Sequence, residues 1–245
     1  MSLFAQKIQV TLAMSGPYLF RQWHTRFAVI VAPDRRTATL TIHDIYADEF
    51  RDLIFEVDVP VISEPAEADP VLTVSCQYDT VTPSGAQRVA VPDLSLTLHR
   101  PEATPAGMAA DFSLDRQWNR ILTAKAMTDA TALCQDRKFP EAQALIRETI
   151  AKIEASISGT DPVCAAQIQD LRTCASRLVD HTSYESSGKA YMVQQAQQQW
   201  HQRTSHNTQS SSAQAYMNPM ASAWHAKSSS PASQPQKKPK GDGSN

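Results

Sequence analysis

Asp52-Leu53-Ile54-Phe55-Glu56-Val57-Asp58-Val59 decides the fold class of the N-terminal part of the chain. Leu53, Phe55, Val57 and Val59 fall at every second position, with the acids Asp52, Glu56 and Asp58 on the other face. A period of two belongs to a half-buried strand, whose successive side chains point to opposite faces of a sheet. Outward from this stretch the pattern repeats. Ile8, Val10 and Leu12 alternate with polar neighbours, and Arg26 to Val31 is a β-rich run that ends at the turn signal Ala32-Pro33-Asp34-Arg35-Arg36. Thr37 to Ile42 alternates again, a Pro- and Glu-rich loop is expected over Ser63 to Pro70, and strands are expected over Leu72 to Tyr78 and Gln87 to Leu98. Pro92, which cannot donate to a ladder, fits an edge position or a bulge in the last of these. Short alternating strands with frequent turns predict an antiparallel β-sandwich over residues 1–100.

The period then changes. Residues 101–112 form a Pro/Ala/Gly linker, and residues 113–203 read as antiparallel helices, which makes the fold class α+β. Ser113 is the expected cap of a first helix with Trp118, Leu122, Ala126, Ala130 and Leu133 on one face. Pro140 opens a second, whose apolar face is Leu145, Ile146, Ile150, Ile153 and Ile157, and Gly159 ends it. Asp161 and Pro162 read as the cap and first turn of a third. A fourth stretch, Tyr184 to Arg203, is weakened at Ser186-Ser187-Gly188 and is Gln-rich toward its end. Residues 204–245 contain no Ile, Leu, Val or Phe and are expected to form a mostly disordered Ser/Gln/Pro/Lys tail, with Tyr216 to Met220 as an apolar island.

Chemistry is sparse. Neither GxGxxG nor GxxxxGK[ST] occurs among the seven glycines, and there is no GxSxG or HExxH, so no enzyme and no cofactor is expected. The seven histidines lie singly and four cysteines, Cys76, Cys134, Cys164 and Cys174, form no CxxC; they read as small buried hydrophobes in a reducing compartment. Asp44, Asp48, Glu49 and Asp52, with Arg51 among them, read as a solvated turn with local ion pairs. Asp93-Leu94-Ser95-Leu96-Thr97 matches the D-x-S-x-[ST] pattern of a metal-ion-dependent adhesion site, but Pro92 precedes it and a strand follows, so no metal site is expected. A net charge of -2 recruits neither nucleic acid nor an anionic membrane. Met1 to Thr11 lacks an apolar h-region, so the expected location is cytoplasmic, with Lys237-Lys238-Pro239-Lys240 as a weak nuclear-import run.

Four segments carry a family resemblance. Ile42 to Val57, containing Ile45-Tyr46-Ala47-Asp48-Glu49-Phe50-Arg51-Asp52, resembles an "LYA(D/E)EERDFLVEL" segment. Tyr184-Glu185-Ser186-Ser187-Gly188-Lys189-Ala190-Tyr191 resembles "YExxGRAY", Gln202-Arg203-Thr204-Ser205 a "QRA(T/S)" element, and Tyr216 to Met220 a "YxTPxM" element. In this order they are similar to the region that follows the von Willebrand factor A domain in plant RING-finger/A-domain proteins and protist A-domain/Hint-associated proteins. The resemblance spans about residues 8 to 227 and implies a C-terminal accessory region, whether as a fragment, a mis-assigned gene start or a diverged short form. The A domain, the RING cysteines and any Hint-type catalytic cysteine are absent from this sequence.

The expected function is therefore a non-catalytic protein-interaction or scaffold module. The alternative is a component of a ubiquitin-ligase system acting with a VWA- or RING-containing partner. The expected interaction or packing signature is Tyr46, Tyr184, Gly188, Tyr191, Tyr216 and Pro219. Tyr184 and Tyr191 lie two helical turns apart with Gly188 between them, where a missing Cβ lets another backbone approach.

Overall fold

The computed structural model describes residues 3–47, 49–82, 85–103, 107 and 109–203. The expectations for Asp48, for the tail from residue 204, and for Tyr216 and Pro219 lie outside the described residues. What is described is a mixed α and β structure.

Seven strands come first: β1 (Leu3–Met14), β2 (Leu19–His24), β3 (Ala28–Val31), β4 (Thr37–Tyr46), β5 (Ile54–Asp58), β6 (Ala66–Thr82) and β7 (Gly85–Arg100). Five of them form an antiparallel sheet in the order β3-β4-β1-β6-β7. The other two, β2 and β5, pair antiparallel as a separate ribbon. The alternation of Leu53 to Val57 does place a strand there, but it pairs with Leu19–His24 and not within the large sheet. Gly16, with φ of 54°, supplies the left-handed turn that carries the chain from the end of β1 toward the ribbon.

The ribbon lies against one face of the sheet. Phe20 packs with Leu12, Met14, Ala38 and Leu72, and Trp23 and Phe55 close over the same cluster. The rings of Phe20, Trp23 and Phe55 have centroids 4.7 to 5.4 Å apart. A fully buried side chain of this size contributes roughly 1.5–3 kcal/mol, which applies to Phe20, whereas Trp23 and Phe55 are only partly buried. Tyr18, fully buried, donates to Asp69 and accepts 2.9 Å from Arg100 Nη1, tying the start of the ribbon to β6 and β7. The loop expected over Ser63–Pro70 is shorter than that, because β6 starts at Ala66 and runs through Pro70 along β7.

The helical part comprises α1 (Phe112–Gln135), α2 (Phe139–Glu154), α3 (Pro162–Ser176), α4 (His181–Ser183) and α5 (Lys189–His201), with a π turn over Tyr184–Gly188 joining the last two. Asp111, not Ser113, caps α1, accepting from the Leu114 N–H at 2.8 Å. Helix therefore begins within the expected linker. Asp161 caps α3 by accepting from Val163 N–H, and Pro162 follows in the first turn. A core of Met127, Ala130, Ile146, Ile153, Leu171 and Met192 joins α1, α2, α3 and α5. Ile157 departs from the expected apolar face: it lies beyond the end of α2 and is exposed. Ser158 is buried instead, and its N–H and hydroxyl both donate to Asp115, at 2.9 and 2.6 Å. Burial pushes the Asp115 carboxyl up, but the Ser158 bonds outweigh it and hold the group below the ordinary aspartate value. No described helix is long and apolar enough to cross a membrane.

Candidate functional site

Two regions gather the residues singled out in the sequence. The first is the junction of sheet and helices. Gln202 at the end of α5 adopts a left-handed conformation, φ 50°, which turns its side chain and that of Arg203 toward the segment between β4 and β5. The Gln202 amide donates to Asp52 O and accepts from Asp52 N–H, each at 2.8 Å, as a strand neighbour would. Arg203 forks onto Glu49 at 2.9 and 3.1 Å, reaches Asp44 at 3.4 Å, and lies 5.1 Å from the centre of the Tyr46 ring. Arg51 joins Glu49 at 2.9 Å.

The expected solvated acidic turn is therefore corrected. The side chains of Glu49 and Arg51 are only 10% and 5% exposed. Two guanidinium groups facing two carboxylates balance the charge, which is what permits their burial. Burial pushes the Glu49 carboxyl up, but the bonds from Arg203 and the Tyr46 N–H, with the Arg51 charge, win and hold it below the ordinary glutamate value. Further contacts extend the seam. Arg120 donates to Gln199 O at 2.7 Å, Arg26 lies over Trp200 at 5.2 Å, and His24 packs edge-on to Trp118 at 4.9 Å. The Gln-rich end of α5 is thus not a polar outer face: Gln195, Gln198 and Gln199 are buried.

Tyr46 belongs to this seam, whereas Tyr184, Gly188 and Tyr191 sit at the other end of the last helical stretch. Tyr184 is buried against Phe139, ring centroids 5.9 Å apart, and its hydroxyl donates to Thr131 O at 3.4 Å. A Cβ on Gly188 would stand 2.9 Å from the Arg177 carbonyl oxygen, so the close backbone approach is that of the chain leaving α3. Tyr191 is buried, bonded to Asp170 at 3.4 Å and covered by the Arg177 guanidinium at 4.2 Å. These three pack; they line no groove with Tyr46, from which about 18 Å of helix between Tyr191 and Arg203 separates them.

The second region is the outer strand of the sheet. Among the described residues β7 has β6 on one side and no strand on the other. Val91, Leu94, Leu96 and Leu98 are 43%, 61%, 45% and 39% exposed. Their cross-strand partners fix which way they face: Val91 is opposite Cys76, Leu94 opposite Val74 and Leu96 opposite Leu72, all of which pack into the core. Directly opposed residues share a face. The apolar stripe of β7 therefore continues the inner face of the sheet past the edge of the ribbon that covers the rest.

A bulge makes this possible. The register slips between Val74 and Cys76, so that Pro92 and Asp93 together oppose Ser75. Without that extra residue Asp93 would face inward and the three leucines outward. The same geometry places the residues of the D-x-S-x-[ST] match: Asp93, Ser95 and Thr97 alternate along a strand that runs on to Arg100. Among the described residues no three His, Cys, Asp or Glu side chains come together to hold a metal ion. The alternation Leu94-Ser95-Leu96-Thr97-Leu98 was visible in the sequence; that no described residue covers it was not.

No family model and no curated protein matches the chain. One solved structure is similar in part: von Willebrand factor type A from Catenulispora acidiphila, at 10% identity and a TM-score of 0.45. The match covers 68% of this chain and 39% of that one, so this chain spans well under half of its length.

Proposed function

We propose that the chain is a non-catalytic protein-interaction module whose contact surface is the open edge and inner face of β7. The observation that carries this reading is the row Val91, Leu94, Leu96 and Leu98, apolar, in phase with the core and exposed. An edge strand of this kind is normally blunted, covered or used for binding. Cysteine chemistry offers no competing reading. Burial pushes the Cys134 thiol up to about 11 and raises that of Cys174 as well, against the thiolate character a nucleophile needs.

We further propose that the β and helical parts act as one accessory unit of the kind that follows a von Willebrand factor A domain. Its support is that two of the segments carrying the resemblance, Ile45–Asp52 and Gln202-Arg203, meet in the junction through Arg203, Glu49 and Tyr46. A role within a ubiquitin-ligase system would use the same surface with a VWA- or RING-containing partner. The test is affinity capture with the full chain and with Leu96→Lys as parallel baits. A protein retained reproducibly by the first and lost from the second supports the reading. Identical captured sets overturn it.

A further inference from the structure

The open strand can be read for the chemistry of what binds it, on the premise that β7 is an interaction surface. β7 has three properties that a partner must match. Its outward N–H and C=O groups, from alternate residues, have no strand to pair with among the described residues. Its inner face is apolar at Leu94, Leu96 and Leu98. Its surroundings are acidic: residues 59–100 hold five carboxylates, Glu64, Glu67, Asp69, Asp79 and Asp93, against two cations, Arg88 and Arg100.

Both cations are already engaged. Arg88 is bound to Asp79 at 2.7 Å, with Lys7 on the same carboxylate at 3.5 Å. Arg100 is held by Asp69, Tyr18 and the Pro60 carbonyl. That leaves Glu64, Glu67 and Asp93, all exposed and making no ion pair among the described residues. Asp93 lies on β7 itself, on the face opposite the leucines.

We infer that β7 receives an extended segment of another protein, apolar at alternate positions on one face and rich in lysine or arginine on the other, as a sixth strand. Its apolar side chains would lie about 5 Å from Leu94 and Leu96, and its basic ones alongside Asp93, with Glu67 one strand further in on β6. Pro92 lacks an N–H, which limits the productive edge to Asp93–His99, enough for a strand of roughly 20 Å. A second copy of this chain is the poorer occupant. Its β7 would bring a second Asp93 and only Arg88 and Arg100 as cations, both already ion-paired within their own sheet.

The test uses the full chain and three labelled nonapeptides, read by fluorescence anisotropy: alternating lysine and valine, alternating glutamate and valine, and the lysine peptide with a central proline. The lysine peptide is expected to bind at least about tenfold more tightly than either of the others. Leu96→Lys should weaken it by about tenfold or more while leaving circular dichroism and Tm unchanged, since the side chain is exposed. Asp93→Lys with Glu67→Lys should reverse the preference between the basic and acidic peptides. Equal binding of the proline peptide overturns strand addition. Tighter binding of the acidic peptide, lost in Leu96→Lys, overturns the charge assignment and leaves the interaction reading standing. Concentration-dependent dimerisation abolished by Leu96→Lys overturns the inference in favour of a second copy. If no peptide binds, the strand inference fails on its own, while the interaction reading is decided by the parallel captures.

Discussion

Replacing Arg203 by alanine cuts the main link between the last helix and the sheet. Its cost can be worked from the contacts. The fork onto Glu49, at 2.9 and 3.1 Å, is a charge-assisted pair that would contribute roughly 1.5–3 kcal/mol in a protected setting. Arg203 is 35% exposed, so water already shares that work and the lower end applies. Loss of the guanidinium from the Tyr46 face adds about 0.5 kcal/mol. Glu49 is not orphaned, because Arg51 stays at 2.9 Å. The expected loss is therefore about 2 kcal/mol. Urea unfolding of the full chain followed by tryptophan fluorescence measures it, and a double-mutant cycle with Glu49→Gln isolates the pair, with about 1 kcal/mol of coupling expected. Strict additivity of the two substitutions, to within about 0.3 kcal/mol, would refute the claim that this pair joins the two parts.

Other expectations follow from the same contacts. Gly188→Val forces a branched side chain against the Arg177 carbonyl oxygen and should cost about 2–3 kcal/mol, measured as a fall in Tm; an unchanged Tm refutes the close approach. Glu49 titrates below its unfolded value, so its stabilisation is complete above roughly pH 4.3 and disappears as the pH falls through its lower folded value. Glu49→Gln should thus lower Tm at neutral pH and flatten the acid limb of a Tm-against-pH curve; parallel curves would show that the carboxylate contributes nothing. The thiols of Cys134, Cys164 and Cys174 are buried and should resist alkylation at pH 8 until the chain is unfolded. Labelling at the rate of a free thiol would contradict their placement in the core.

Local patterns carried much of the fold. Period-two alternation located β1 and β4 because one of their faces is buried, whereas no expectation covered β2 (Leu19–His24), and Asp161-Pro162 located a helix start because that pair satisfies the first turn by its own chemistry. The cap of the first helix was misplaced: Ser113 suits the role chemically, but Asp111, two residues earlier, fills it and the helix starts there. The junction could not be read that way. Glu49 and Arg51 look like surface residues beside Asp44 and Asp52, and only the return of Arg203 from the far end of the chain buries them. Gln199 is buried for a similar reason, its carbonyl bonded by Arg120. The leucines of β7 show the converse. Their alternation announces a buried face, yet burial depends on what lies above the sheet, and the two-strand ribbon stops short of them.

The most direct test of the interaction surface is hydrogen exchange by mass spectrometry on the full chain, alone and saturated with the lysine–valine nonapeptide. Amides of the β7 edge have no second strand among the described residues to protect them and should exchange quickly in the free protein. Binding should slow exchange in fragments covering residues 93–99 and leave α1, α2 and α3 unchanged. Protection that appears on the helices, or none on β7 under saturating peptide, would contradict the account.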